Sequence, residues 1–162
     1  MKLAFLKIPI YIALVASGTF APNKPTDVYS GKIHGHNYRV VVRFGKFDPS
    51  KHRIKLNPSA KIQAGKKFPT PTLIDGDPAW GNPDTVPTDE FKAFSVWFDG
   101  RRLRFPKRLW SSCYECFASG LNIDFRNGVL VIFAEGGDGY GGYEVTWFIP
   151  IKGSPWRRIY AV

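Results

Sequence analysis

Residues 121–149 read LNIDFRNGVLVIFAEGGDGYGGYEVTWFI. Leu121, Ile123 and Phe125 alternate with Asn122, Asp124 and Arg126. Successive side chains of a strand point to opposite faces, so this alternation predicts a strand with one buried and one wet face. Asn127-Gly128 follows. Both residue types tolerate positive φ, which the tight turn of a two-residue hairpin demands. Val129 to Ala134 is apolar on both faces, as a central strand should be. After a glycine-rich loop, Tyr143, Val145, Trp147 and Ile149 again share one face. The stretch therefore predicts three antiparallel strands in a meander.

The same reading extends outward in both directions. Upstream, Phe94, Val96 and Phe98 fall on one face of a strand spanning Ala93 to Phe98. Asp99-Gly100 turns it into a return strand over Arg101 to Phe105, ended by Pro106. Residues 107–118, KRLWSSCYECFA, fit a short helical turn. Downstream, Gly153-Ser154-Pro155 precedes a last strand over Arg157 to Val162. Nearer the N-terminus, Tyr38, Val40, Val42 and Phe44 alternate with Arg39 and Arg43. Residues 22–31 are polar, contain two prolines and read as a lead-in. Residues 45–92 are crowded with Pro, Gly, Lys and Asp, and predict a turn-rich segment with short strands at Ile54–Leu56 and Leu73–Ile74. Six or more short strands with hairpin turns at this spacing give an all-β class: an antiparallel meander forming a sandwich or a barrel, with one short helical turn.

The first 21 residues differ from the rest. Lys2 and Lys7 precede an apolar run from Ile8 to Phe20, with small residues around Ala16 to Ala21. That is the build of a secretory signal peptide, and the run is too short to span a bilayer. The expected organisation is a signal peptide over 1–21, cleaved after Ala21 or Gly18, and a single mostly-β domain over 22–162. The chain carries a formal charge of +10, and losing residues 1–21 removes only Lys2 and Lys7. An exported basic domain, periplasmic or extracellular, meets anionic glycans, wall polymers, lipid head groups or acidic proteins rather than nucleic acid. Its cations are dispersed, with small clusters at Lys66-Lys67, Arg101 to Arg104 and Arg157-Arg158.

Four features could carry chemistry. His34-Gly35-His36-Asn37-Tyr38 places two histidines two apart, which on a strand face one way and could share a zinc ion. The segment resembles the HGHNY-like stretch of the 6-pyruvoyl tetrahydropterin synthase family, where it supplies two zinc histidines. The likeness covers these five residues, with faint echoes at Leu56-Asn57 and Pro87 to Glu90. The family's third histidine and its cysteine upstream of the pair have no counterpart here. Cys113 and Cys116 are the only cysteines and are three apart. In an exported chain a disulfide is the expected state; free thiols, redox chemistry and metal binding are the alternatives. With His34 and His36 they also make a Cys2His2 set.

The loop from Glu135 to Gly142 leads into another strand rather than a helix, so its glycines do not form a phosphate cradle, and Glu135 and Asp138 are too few for a calcium site. Asp99, Asp124, Glu135, Asp138 and Glu144 are acids that could pair in space. Trp97 and Trp147 sit in strands and belong to the core or its margin. Trp80 and Trp110, in turn-rich segments, and Asp138 and Tyr140, on the glycine-rich loop, are the candidate binding residues. The runs FDGRRLRFPKRLW and LNIDFRNGVLVIFAEGGDGYGGYEVTWFI resemble small uncharacterised bacterial exported proteins that share a DGR hairpin, a GGDGxGxY loop and a YxVTW-like strand. That resemblance implies a β meander and no particular activity.

No elbow serine, metalloprotease helix or P-loop occurs. The leading functional reading is an exported, non-catalytic binding protein of the cell envelope, taking a protein partner or an anionic envelope polymer. The alternatives are a glycan- or wall-binding module, and a zinc-dependent hydrolase built on His34 and His36. No cofactor is expected outside that last reading.

Overall fold

A computed structural model describes residues 26–57, 62–63, 66–67, 70–81, 86–116, 120–137 and 142–161. The signal peptide expected over 1–21 lies outside the described residues.

Two four-stranded antiparallel sheets carry the fold. The first has the order β1-β2-β8-β9, formed by β1 (Thr26–Ile33), β2 (His36–Lys46), β8 (Asp89–Phe98) and β9 (Arg101–Arg102). The second has the order β10-β11-β12-β13, formed by β10 (Asn122–Arg126), β11 (Val129–Gly136), β12 (Tyr143–Pro150) and β13 (Trp156–Ala161). Between β2 and β8 the chain builds a three-stranded sheet from β3 (Ile54–Asn57), β6 (Thr70–Ile74) and β7 (Asp77–Pro78), and a small hairpin from β4 (Ile62–Gln63) and β5 (Lys66–Lys67). Each four-stranded sheet keeps open edges, so the architecture is a sandwich and not a closed barrel.

The core follows from the alternation. Val40 and Val42 of β2 pair with Val96 and Phe94 of β8. Leu130, Ile132 and Ala134 of β11 pair with Ile149, Trp147 and Val145 of β12. All are buried in one cluster, with Phe94 and Trp147 packed edge to face at 5.0 Å across the two sheets. At the β2–β8 ladder a bulge leaves Lys92 without a partner, between Ala93 facing Arg43 and Phe91 facing Phe44.

Four tight turns have positive φ at both central residues: His34-Gly35, Asp75-Gly76, Asp99-Gly100 and Asn127-Gly128. Three of them, at β1–β2, β8–β9 and β10–β11, close the two large sheets.

Three expectations need correction. Residues 22–31 are not a mere lead-in, because Thr26 onward is β1, paired along its length with β2. The polar side chains of β1 fit because it is an edge strand with one face open to water. The return strand over Arg101 to Phe105 has only two laddered residues before Pro106 breaks it, though Leu103 still bonds Val96. Of the helical turn expected over 107–118, residues 117–118 lie outside the described residues, and the rest holds a 3-10 turn at Lys107–Leu109. Beyond it the backbone bonds outward: Cys113 bridges Trp80, Tyr114 bridges Glu90 and Cys116 bridges Gly136. A segment pairing with three neighbours has no groups left for a helix.

Candidate functional site

The outward face of the first sheet concentrates cations around one indole. Register places Ser30, Arg39, Trp97 and Arg102 in a single row across β1, β2, β8 and β9. Arg39 and Arg102 flank Trp97, with guanidinium carbons 5.6 and 5.7 Å from the ring centroid. A guanidinium over an indole face is held by the ring quadrupole, so both charges are fixed rather than sweeping through solvent. Arg102 also donates to Ser95 Oγ at 3.1 Å. Neighbouring rows add Lys32 beside Asn37 and Arg43 between Thr26 and Ala93. Lys32, Arg39, Arg43 and Arg102 are all exposed. From Thr26 to the bulge at Lys92, no outward position holds an acid. The result is a one-signed face with a half-buried aromatic at its centre.

Alternation alone puts Arg39 and Arg43 on the wet face of their strand and does not join them to Trp97. The signal was present: Trp97 is out of phase with Phe94, Val96 and Phe98. What was missing was the register that sets it opposite Arg39.

The two candidate metal histidines do not act together. His34 is the first residue of the β1–β2 turn, at φ 48, and not a strand residue, so the two-apart rule does not apply. Its Nε2 lies 3.8 Å from Asp124 Oδ1. His36 opens β2 and bonds Asp99 Oδ2 through Nδ1 at 2.7 Å. Asp99 Oδ1 accepts the Asn37 amide at 2.9 Å. The His36 bond and then the amide hold the Asp99 carboxyl below the usual range. Among the described residues, no group of three His, Cys, Asp or Glu side chains is placed to hold a metal ion.

The same device occurs a second time, unforeseen. Asp75 Oδ2 bonds His52 Nδ1 at 2.7 Å and Oδ1 accepts the Arg53 amide at 2.9 Å. The amide first, then His52, lowers the Asp75 carboxyl. On its other side His52 Nε2 stands 3.3 Å from buried Glu90, whose second oxygen pairs with Lys92. Phe47 stacks on the imidazole at 4.5 Å. This closed chain fastens the inserted β3-β6-β7 sheet to β8.

Of the other candidates, Trp80 is half-buried against the core, 6.3 Å from Tyr143. Trp110 is not an exposed platform but a core residue at 6% exposure. Asp138 and Tyr140 lie outside the described residues. The expected disulfide is absent: Cys113 and Cys116 are free, buried thiols. Glu115 between them is left-handed at φ 50, and the two cysteines sit on bridges to different neighbours. Burial pushes the Cys113 thiol up to about 12, against a smaller lowering by Arg157. Burial also raises Cys116, whose sulfur contacts the Glu135 carbonyl at 3.4 Å. Thiols this hard to ionise are poor metal ligands and poor nucleophiles. Of the candidate acids, Glu135 and Glu144 are cross-strand partners and Asp124 pairs with Arg126. None of these meets Asp99.

The chain matches no family model, no curated protein and no solved structure.

Proposed function

We propose that this is an exported binding protein of the cell envelope that engages an anionic polymer through the outward face of its first sheet. The observation that carries the reading is the Arg39–Trp97–Arg102 row, with Lys32 and Arg43 beside it and no acid among the outward positions. Fixed cations sharing one face attract a repeating anion along its length. The charged and then apolar pattern of residues 2–20 supports a location outside the cytosol. Among the described residues, no helix is long and apolar enough to cross a membrane.

Retention on an immobilised polyanion such as dextran sulfate tests the reading. Net charge alone would give some retention, so the comparison is between two double variants of equal charge. Arg39→Ala with Arg43→Ala should elute at markedly lower salt than Lys107→Ala with Arg108→Ala, whose cations lie elsewhere. Equal elution of the two would show that only bulk charge binds, and would overturn the proposal. Binding should also weaken steeply with added salt, as screening requires.

A further inference from the structure

At the end of the sandwich where three tight turns meet, a cleft of about 790 Å³ opens between the two sheets. We infer that this cleft is a binding site for a small planar aromatic anion, of the aromatic carboxylate class. The inference does not rest on the polymer surface, which lies on the outward face of the first sheet.

The cleft has the size of a small-molecule site. One wall is aromatic: Phe98 and Phe125 meet across the sheets at 4.5 Å, and His36 stacks on Phe98 at 5.0 Å with its ring edge toward Phe125. Ile151 continues the apolar lining from the β12–β13 loop. Such a wall gives a flat ring an apolar surface to pack against, with removal of apolar area from water.

The charge at the cleft favours an anion. Asp99 is its one acid, and both its oxygens are occupied, by His36 Nδ1 and by the Asn37 amide. Arg101 and Lys152 stand at the rim. Arg101 is positioned by donating to the Ile151 carbonyl at 3.0 Å, which ties the first sheet to the second across the cleft. Among the described residues the remaining guanidinium N–H groups have no partner, and they can form a charge-assisted pair with a carboxylate. Asp99 also fixes the imidazole through Nδ1, so Nε2 is the ring nitrogen turned away from that bond. An aromatic wall and two rim cations together match a ring bearing a negative group.

The test is a titration of the full chain with 1-naphthoate, followed by amide chemical shifts, beside the neutral analogue 1-naphthalenemethanol. Saturable shifts confined to residues 36–37, 98–101, 125–129 and 150–152 are expected. The neutral analogue should bind roughly tenfold more weakly, as loss of a charge-assisted bond implies. Arg101→Gln and Lys152→Ala, both at exposed rim positions, should each weaken naphthoate while leaving polyanion retention nearly unchanged. Three outcomes would overturn the inference: no saturable shift at millimolar naphthoate, shifts on the Arg39–Trp97 face instead of the cleft, or equal affinity for the neutral analogue.

Discussion

At the scale of single residues, buried polar atoms decide which side chains tolerate change. Trp147 and Trp110 are both core indoles, yet they differ in one bond. Trp147 Nε1 donates to the Leu109 carbonyl, which also accepts from Arg157. Trp110 Nε1 has no partner among the described residues. Trp147→Phe loses a buried hydrogen bond as well as packing, leaving the Leu109 carbonyl to Arg157, whereas Trp110→Phe loses packing alone. The first should therefore cost the more, by about 1 kcal/mol in urea unfolding. Gly136 lies under the Tyr143 ring, so a Cβ there would overlap it. Gly136→Ala should displace Tyr143 from its bond to the Tyr114 carbonyl and cost about 1–3 kcal/mol. The buried thiols give a third check. In the native protein at about pH 8 neither Cys113 nor Cys116 should react with a disulfide reagent, while both should in denaturant. A disulfide would instead leave both silent until reduced.

At the scale of elements, the tight turns do two jobs. Their first residues stand at φ between 47 and 55, a conformation Asp and Asn accept better than other side chains. At Gly128, with φ 76, nothing lies within 4 Å of an added Cβ. Gly128→Ala therefore isolates backbone strain, and should cost about 1–2 kcal/mol without altering the core. The second job belongs to the aspartates, which reach back to a histidine and to the following amide. Removing Asp75 should loosen the inserted β3-β6-β7 sheet before the sandwich, visible as faster amide exchange confined to 53–78.

At the scale of the whole molecule, stability rests on two apolar faces meeting. Leu130 is fully buried between them, and Leu130→Ala should cost about 2–5 kcal/mol. Acid also acts globally. Asp48, through its bonds from the Ser50 hydroxyl, Lys51 and the Ser50 amide, is lowered from 3.8 to about 2. Asp75 and Asp99 shift the same way. Above the ordinary carboxylate range these groups are ionised in both folded and unfolded chains, and their contribution is complete. As pH falls toward about 2 the unfolded chain binds protons that the folded one resists, so the contribution is lost. The urea midpoint should fall between about pH 6 and about pH 2.5, and Asp48→Asn should make that fall shallower.

The class of this fold and most of its core are legible in the residue pattern. Alternation in Tyr143 to Ile149 and in Phe94 to Phe98 names the buried face directly, because a strand's period of two is local. Asp99-Gly100 and Asn127-Gly128 likewise carry their turn geometry in their own backbone preferences. His34-Gly35 does not, since histidine is an uncommon first residue there, and the pair looked like part of a strand. What depends on register and on the meeting of distant segments came with the folded chain. It set Trp97 between Arg39 and Arg102, closed His52 between Asp75 and Glu90, and put His36 with Phe125 at one cleft. It also parted Cys113 from Cys116, by sending the intervening backbone to different neighbours. Each such contact joins residues brought together by strand pairing or by packing, and neither spacing nor composition records those partners.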